Sequence, residues 1–350
     1  MSLFNLDPAL DQPLYRQIAL QVKSAVEDGS LHPGDKLPTV RELSQELATA
    51  SGTVKRAYDE LARQGVIEMT QGKGTFIAQP ATENSRKEQA MAAISQAVVR
   101  VGADLGVIFD ADCDRAAIVD HTGKEINRNR LIALISAILL DETPGATIVT
   151  DSVTSSGLSD FIREWGGEHY RYKRGYRNVI DEAVRLNKAG IDCPLAIETS
   201  GHAAFRENYY LDDGAYLVTR FLMEIAAGRS LESLLEGLRE PVESREFRLK
   251  ILAEDFRAAG TAVLDSLAEY AKEQPGWSIA PDNCEGVRVN LDKAHGDGWF
   301  LLRLSLHDPI LPLNIESDRE HGARTIAREL APFLAQQTEI DASSALDFTL

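Results

Sequence analysis

The 350-residue chain has few cysteines, no long apolar run and no surplus of basic residues. Cys113, Cys193 and Cys284 are widely spaced and form no Cys-x-x-Cys or Cys/His pattern, so neither a disulfide framework nor a zinc site is expected. No run of about 18 apolar residues occurs, and the N-terminus lacks the basic and apolar regions of a secretion signal. These absences favour a cytoplasmic protein, and its 44% of hydrophobic residues can supply the cores of several domains.

The net charge of −17 argues against a chain that coats nucleic acid with a general basic surface. The charge is unevenly distributed, however. Residues 1–80 carry 8 Lys and Arg against 10 Asp and Glu, whereas the remaining residues carry 29 against 44. Nearly all of the acidity therefore follows residue 80, where it keeps a globular domain soluble and says little about binding partners.

The first eighty residues show helical periodicity followed by strand alternation. One apolar stripe recurs every four residues up to Gly29, and Thr39 is placed to cap the next short helix. A third helix directs four side chains inward, Val54, Ala57, Tyr58 and Leu61. Residues 66–77 then alternate around Gly72-Lys73-Gly74, as a hairpin does. This order is typical of a winged helix-turn-helix, although the pattern also allows a small helical core with a solvated hairpin.

The sequence motifs of this region favour DNA binding. The segments PLYRQI (13–18), GDKLPTVRELSQELA (34–48), TVKRAYDELARQGVI (53–67) and QGKGTFI (71–77) resemble the N-terminal domain of GntR-type regulators. Ser51 stands where that family usually has Arg, a residue that discriminates guanine by roughly 1–3 kcal/mol, so the operator is expected to differ or to be read more weakly. The DNA-binding residues implied by the resemblance are Arg41, Ser51, Thr53, Lys55, Gln71, Gly72 and Lys73.

Residues 80–87 are polar and without pattern, and are interpreted as a linker. After a predicted strand at 105–109, carboxylates stand at alternate positions, Asp110, Asp112 and Asp114. An extended loop would point them to one side, where they could hold a hard cation such as magnesium. The loop is not an EF-hand, because Arg115 and His121 occupy the positions of its Gly and Glu. A solvated acidic turn is the alternative.

Helical stretches then alternate with short apolar runs, which predicts an α/β layer. Two polar clusters follow strand-like segments. The first, Glu198 to His202, offers hydrogen-bonding groups for hydroxyls beside a glycine, and the second, Arg303 to Pro309, offers a guanidinium and backbone amides for a phosphate. Taken singly, each is also compatible with an ordinary polar turn.

Their order along the chain is more specific. The segments ADLGVIFDADCDR (103–115), KRGYRNVIDEA (173–183), IETSGH (197–202), LDDGAYL (211–217) and LLRLSLHDPILPLNIES (301–317) resemble the later part of the α-D-phosphohexomutases, phosphomannomutase and phosphoglucomutase. His307 replaces the usual Thr, and Pro312 stands where Arg commonly occurs, so the grip on phosphate is expected to change. The resemblance makes the three aspartates, Asp110, Asp112 and Asp114, magnesium ligands, with binding weak without a phosphoserine oxygen. It implies sugar-phosphate contacts from Glu198, Ser200, His202, Arg303, Ser305, His307 and Asp308.

The mutases transfer phosphate through a serine in a Thr-Ala-Ser-His-Asn type loop of their first domain, and this sequence has no counterpart of it. Thr49-Ala50-Ser51 continues as Gly-Thr and lies in the helix-turn-helix. The expected fold is multidomain α/β and α+β. Its expected parts are a winged helix-turn-helix (1–79), a linker (80–87), a remnant of mutase domain II with the metal loop (88–125), a domain III-like sugar-binding part (126–240) and a domain IV-like phosphate-binding part (241–350).

These observations predict a GntR-type transcription regulator that binds operator DNA and senses a hexose or hexosamine phosphate, with no membrane partner. The resemblance to GntR proteins, together with the usual palindromic operators, implies a homodimer. Because the sequence has no counterpart of the serine loop, an enzyme is the less favoured interpretation. The alternatives are a phosphomutase-like enzyme with residual or complemented activity, and a DNA-bound scaffold whose mutase-like part binds a protein.

Overall fold

The computed structural model describes residues 4, 6–7, 12–27, 30–70, 74–78, 83–306 and 308–349. The chain divides into two compact units, residues 1–92 and 93–350. Among the helices of these described ranges, none combines the length and the apolar character needed to cross a membrane.

The N-terminal unit contains a small mixed fold. Its three strands join in the order β1-β3-β2, with antiparallel pairing of β3 to both neighbours. The inward side chains expected of the third helix are all buried. The helix, helix, helix, hairpin order therefore forms as predicted. Its elements are α1 (Leu14–Glu27), β1 (Lys36–Leu37), α2 (Val40–Glu46), α3 (Ser51–Arg63), β2 (Ile67–Thr70) and β3 (Gly74–Ile77).

Helix α2 begins with a reciprocal cap. The Thr39 hydroxyl accepts the backbone N–H of Glu42 at 3.2 Å, and the Glu42 carboxylate accepts the backbone N–H of Thr39 at 2.8 Å. These hydrogen bonds lower the pKa of Glu42. The predicted role of Thr39 is thus confirmed, because it satisfies an amide that an isolated helix start would leave without a partner.

Part of the predicted linker is helical. Helix α4 (Glu83–Val101) already includes residues 83–87, which were read as linker because they are polar and lack apolar periodicity. Farther along α4, Ile94 and Val98 lie against Gly106, where an added Cβ would meet their side chains at 2.8 and 2.6 Å. Packing at the apolar end of α4 accounts for a helix whose first turn has no apolar pattern of its own.

Residues 105–242 build the first part of the C-terminal unit. An antiparallel β4-β5-β6 sheet precedes a second sheet in the order β10-β9-β7-β8. In the second sheet β7 pairs in parallel with β8 and β9, whereas β10 is antiparallel to β9. The elements are β4 (Leu105–Phe109), β5 (Ala116–Asp120), β6 (Glu125–Ile126), α5 (Asn129–Glu142), β7 (Thr147–Asp151), α6 (Ser156–Glu164), β8 (Glu168–Tyr172), α7 (Tyr176–Lys188), β9 (Leu195–Ile197), β10 (Ala203–Phe205) and α8 (Gly214–Ala226).

The remaining residues form a sheet in the order β12-β13-β14-β15-β11-β16, with all pairs antiparallel. Helices α9 and α10 pack on the apolar face of this sheet. The predicted combination of α/β and α+β parts behind a winged helix-turn-helix is therefore confirmed. The elements are β11 (Glu243–Ile251), α9 (Phe256–Lys272), β12 (Trp277–Ile279), β13 (Val287–Leu291), β14 (Gly298–Leu302), β15 (Ile310–Ser317), α10 (Gly322–Leu334), β16 (Ile340–Asp341) and α11 (Ser343–Asp347).

Helix α5 is the centre of the apolar core. Every residue from 131 to 140 is buried, as expected of a helix that is apolar on all sides. Ala116 and Ile118 of β5 belong to the same hydrophobic cluster. The β4-β5-β6 sheet therefore packs on the α/β part that follows it.

The face of the last sheet that turns away from α9 and α10 is polar. Because side chains alternate along a strand, Val287, Val289 and Leu291 enter the apolar core while Arg288 and Asn290 of the same strand face the other way. Arg288 donates to the backbone carbonyls of Ser152 and Thr154 at 2.9 and 3.1 Å. We use the name polar seam for this contact, formed by Arg288, Trp299, Glu316, Ser152 and Thr154.

Candidate functional site

The loop between β4 and β5 gathers the three predicted aspartates. One carboxylate oxygen from each of Asp110, Asp112 and Asp114 lies within 4.8 Å of the others. The loop is a tight turn with Cys113 in the left-handed region (φ 62°), so the expectation of an extended loop is wrong although the oxygens converge. Arg115 closes the turn, because its Nε donates to Asp110 Oδ2 at 2.6 Å and its backbone N–H donates to Oδ1 at 3.2 Å.

The aspartates differ in their electrostatics. Burial tends to raise the pKa of Asp110, but the hydrogen bonds and charge of Arg115 outweigh it and lower the pKa. The pKa of Asp114 is raised by burial, with His202 acting against it and the neighbouring aspartates adding to it. Asp114 Oδ1 is buried and accepts no hydrogen bond from the described residues, with Arg115 Nε 3.5 Å away. This cluster has an oxygen available for a further ligand.

His202 lies beside the aspartate cluster. Its Nδ1 is 2.7 Å from Asp212 Oδ2 and 3.7 Å from Asp114 Oδ2, and its ring stacks on Tyr176 at a centroid distance of 5.0 Å. Burial lowers the pKa of His202, but the hydrogen bond and charge of Asp212, with the charge of Asp114, outweigh it and raise the pKa. The two carboxylates therefore favour the protonated form of His202.

Glu198 and Ser200 follow β9. Glu198 is buried, with Oε1 accepting the backbone N–H of Gly175 at 2.6 Å and Oε2 accepting the Ser200 hydroxyl at 3.0 Å. Gly175 precedes α7 with φ 116°, a conformation that suits glycine. Glu198 thus fixes the turn that leads from β8 into α7 and orients Ser200.

Arg303 begins the loop between β14 and β15. It is 8% exposed, its Nη1 lies 3.9 Å from Glu285 Oε1, and its Nε has no hydrogen-bond partner in the described part of the chain. Burial lowers its pKa, opposed by Glu285. A buried guanidinium N–H without a partner costs free energy that an anionic ligand would recover.

The rest of this loop reaches α7. Leu306 Cδ1 would lie 3.5 Å from a Cβ on Gly175, and the Leu306 carbonyl accepts from Arg257 at 3.1 Å. The Ser305 hydroxyl accepts the backbone N–H of Asp308, which is exposed, at 3.3 Å. His307 lies outside the described residues. The loop therefore borders the turn that Glu198 holds.

Two carboxylates near this site were missed by sequence reasoning. Asp151 ends β7, accepts both the backbone N–H and the hydroxyl of Thr199, and lies 4.0 Å from Arg174. Burial raises its pKa to about 6, opposed by Arg174 and reinforced by Glu198. Its position directly after a buried strand was an available signal, since ligand sites in parallel sheets lie at the carboxyl ends of the strands.

Glu285 is the second missed carboxylate. It accepts from the Ser152 hydroxyl at 2.5 Å and from the backbone N–H of Arg174 at 3.1 Å, besides facing Arg303. These partners are distant in sequence, and no local pattern marks the residue.

The predicted DNA-binding residues of the described N-terminal unit lie at the starts of α2 and α3. Arg41, Ser51 and Lys55 are exposed and Thr53 is half-buried, while the opposite side of α3 forms the core. Gln71, Gly72 and Lys73 lie outside the described residues. In the same unit the Arg56 guanidinium lies 4.0 Å from the centre of the Tyr15 ring.

Comparison with known families agrees with this architecture. Residues 14–77 match the family described as bacterial regulatory proteins, gntR family. Residues 127–242 match phosphoglucomutase/phosphomannomutase, alpha/beta/alpha domain III.

Individual proteins match the C-terminal unit more broadly. A phosphomannomutase/phosphoglucomutase of Pseudomonas syringae is 31% identical over 64% of this chain and 45% of its own length, and that of Pseudomonas aeruginosa is 30% identical over 70% and 50%. The crystal structure of a phosphoglucomutase/phosphomannomutase family protein from Burkholderia thailandensis superposes with a TM-score of 0.59 at 27% identity, covering 72% of this chain and 52% of that one.

The chain spans about half the length of the curated relatives it matches. Its N-terminal part has a different relationship, to the gntR family. The chain therefore carries an N-terminal winged helix-turn-helix domain that matches the gntR family, followed by α/β domains that are similar to those of phosphoglucomutase/phosphomannomutase.

Proposed function

We propose that this protein is a one-component transcription regulator of the cytoplasm. Its N-terminal unit binds operator DNA, and its C-terminal unit binds a hexose or hexosamine phosphate as effector. The observation that carries the effector proposal is the buried Arg303 with its unpartnered Nε, placed on a loop that borders Gly175 and Glu198.

The DNA-binding part of the proposal rests on the exposed starts of α2 and α3. A recognition helix places its N-terminal residues against base edges, while basic side chains contact phosphates. We propose that Ser51, Thr53 and Lys55 contact DNA from α3 and that Arg41 contacts a base or a phosphate from α2, in agreement with their exposed or half-exposed positions. Gln71, Gly72 and Lys73 are proposed to contact DNA from the wing.

The effector part rests on groups that suit the two ends of a sugar phosphate. Arg303 offers a charged donor for phosphate oxygens, with Ser305, His307 and Asp308 in the same loop. Glu198 and Ser200 offer hydrogen-bonding groups for sugar hydroxyls, and the His202 ring, whose pKa is raised by Asp212 and Asp114, lies nearby. Parallel strands β7 and β9 end at this place, which is where ligands bind in α/β sheets.

The aspartate cluster fits magnesium. Asp110, Asp112 and Asp114 provide oxygen ligands of the kind that a hard cation prefers, and the raised pKa of Asp114 reflects carboxylates that a cation would stabilise. A bound magnesium ion would supply positive charge for the phosphate oxygens of a ligand. We propose that these residues hold it weakly and that the effector completes its coordination.

A homodimer is proposed to present two winged helices to the half-sites of a palindromic operator. Effector binding would change DNA affinity only to the extent that the effector binds two arrangements of the dimer unequally.

The effector proposal is tested by thermal unfolding of the full chain with glucose 1-phosphate, glucose 6-phosphate, mannose 6-phosphate and glucosamine 6-phosphate, each with and without magnesium. At tenfold excess over its dissociation constant an effector raises the melting temperature by about 3 °C. The Arg303→Gln variant is expected to lose the shift, and Arg248→Gln, at an exposed arginine of β11, to keep it. If no sugar phosphate of the panel shifts the wild-type transition, the effector proposal is wrong.

DNA binding is tested by fluorescence anisotropy on the DNA upstream of the chain's own gene. Lys55→Ala should weaken binding roughly tenfold and lower the salt dependence by about one phosphate contact. Arg63→Ala, at the other end of α3, is the matched control and should bind as the wild type does. Failure of the wild-type protein to bind this DNA or a selected duplex would reject the regulator.

The aspartate cluster also supports a second candidate, a phosphohexomutase-like enzyme that keeps residual activity by itself or is completed by a first domain from another protein. Purified chain with glucose 1-phosphate, magnesium and a bisphosphate activator distinguishes the two. Formation of glucose 6-phosphate that is lost in Asp112→Asn would favour the enzyme over a regulator without catalysis.

A further inference from the structure

A cavity lies at the far end of the last sheet, away from the Arg303 loop. It has a volume of about 180 Å³ and is bounded by the start of α6 and by residues at the start of β14 and the end of β15. Strand β14 begins beside this cavity at Gly298 and ends at Leu302, immediately before the Arg303 loop. Trp299 is therefore about 13 Å from Arg303 along the strand, which separates this cavity from the proposed effector site.

A row of three side chains crosses neighbouring strands at this cavity. Asn290 of β13 pairs with Trp299 of β14, and Trp299 pairs with Glu316 of β15. All three line the cavity together with Asp297 and Asp318. The lining thus contains three carboxylates, and none of its residues is a lysine, arginine or histidine.

Glu316, which lines this cavity, is only partly hydrogen-bonded. It is 7% exposed, and its Oε2 has no hydrogen-bond partner among the residues that the structure describes. Burial raises its pKa to about 7, against the opposing charge of Arg288. The Trp299 side chain donates a hydrogen bond to the Glu316 carboxylate, but Oε2 still lacks a donor within the described part of the chain. A buried carboxylate oxygen without a donor is unfavourable, and a bound donor with positive charge would remove the cost.

We propose that this cavity binds a small organic cation with a primary ammonium group. The ammonium group donates to the Glu316 carboxylate and the Asn290 side-chain oxygen, while the charges of Asp297 and Asp318 favour a cation over a neutral ligand. The start of α6 contributes about half a positive charge, and Arg288 and Arg239 act on Glu316 and Asp318 from outside the lining, whereas the charged side chains that line the cavity itself are the three carboxylates. Since an apolar cavity of about 150 Å³ accepts benzene, a ligand of roughly six non-hydrogen atoms fits.

Binding here would join the two parts of the C-terminal unit. Ser155 and Ser156 come from the α/β part, whereas Asn290, Trp299 and Glu316 come from the last sheet. A ligand that contacts both sides stabilises their contact next to the polar seam. This proposal does not depend on sugar-phosphate binding, because the two sites share no residue.

The test is thermal unfolding of the full chain with putrescine and with ethanolamine at matched ionic strength. Their neutral counterparts, 1,4-butanediol and ethylene glycol, replace ammonium by hydroxyl at nearly constant size. The amines at tenfold excess over their dissociation constant should raise the melting temperature by about 3 °C, and the diols should not. Isothermal titration calorimetry then gives the stoichiometry, expected to be one per chain.

Three variants locate the site. Glu316→Gln should weaken amine binding at least tenfold, whereas Glu246→Gln, at a less buried carboxylate of β11, should leave it unchanged. Ser156→Phe, at an exposed position on the rim of the cavity, should block amine binding by its size without altering the charge. If Glu316→Gln does not fold, this variant alone tests whether the amine binds in the cavity. Asp112→Asn should have no effect.

Three results would overturn the proposal. The diols could shift the transition as much as the amines, which would remove the preference for a cation. The amine effect could persist in both Glu316→Gln and Ser156→Phe, or vanish in Asp112→Asn, which would place it elsewhere. The third contradicting result is that neither putrescine nor ethanolamine binds to the chain. Each result leaves the sugar-phosphate panel unaffected, so the two proposals fail separately.

Discussion

The apolar core around α5 and the polar seam lie in the same C-terminal unit but hold their elements together by different forces. The core buries ten consecutive residues of one helix, and apolar contact of this kind is indifferent to pH and ligands. The seam buries an arginine whose guanidinium lies 3.6 Å from the centre of the Trp299 ring, with Glu316 beside it.

Burial lowers the pKa of Arg288 to about 9, with Glu316 acting to raise it. Two charges buried at one contact gain little net stability, because desolvation offsets their attraction. The difference teaches that the core fixes the fold, whereas the seam can respond to changes in charge. Ligand binding or protonation is therefore expected to act on the seam first.

The largest effect is expected from the core. Ile135→Ala removes a fully buried side chain and should lower the free energy of unfolding by about 2–5 kcal/mol, measured by urea denaturation. Ile191→Ala, at a side chain that is 43% exposed, is the matched control. A loss below that of the control would contradict the central role of α5.

An intermediate effect is expected at the seam. Arg288→Met leaves the carbonyls of Ser152 and Thr154 without their donor and should cost about 1–3 kcal/mol. Adding Glu316→Leu should recover part of this loss, since replacing both charged partners is often nearly neutral. The double-mutant cycle is measured by urea denaturation with Arg248→Met as the exposed control. Additive losses would show that the two charges do not interact.

The smallest effect concerns pH. The pKa of Glu316 rises on folding from 4.5 to about 7, so its protonated form favours the folded state. This contribution is present in full below pH 4.5 and is lost as the pH rises through about 7. Glu316→Gln should therefore flatten the fall in melting temperature over this window relative to wild type. Parallel profiles would show that Glu316 titrates normally in the folded protein.

Sequence reasoning succeeded where the determining contacts are local. Leu131, Leu134, Ile135 and Ile138 marked α5 by their spacing, and Thr39 marked the start of α2. Asp110, Asp112 and Asp114 were close in sequence, so their proximity could be expected even though the loop turns instead of extending.

It failed where partners come from distant segments. Arg288 meets Ser152 across 136 positions, and Glu285 meets Arg174 across 111. No local sequence pattern near Arg288 or Glu285 predicts those contacts, because they depend on how the last sheet packs against the α/β part. The start of α4 was missed for a related reason, since its helix is supported by packing at its other end.

Cys113 offers a practical consequence of the tight turn between β4 and β5. Its thiol is exposed, whereas Cys193 is buried and Cys284 half-buried, and burial raises the pKa of these two to about 12 and 11. A maleimide dye at neutral pH should therefore label Cys113 selectively. The label would sit one residue from Asp112 and Asp114, so that its fluorescence could follow cation uptake in real time without any mutation.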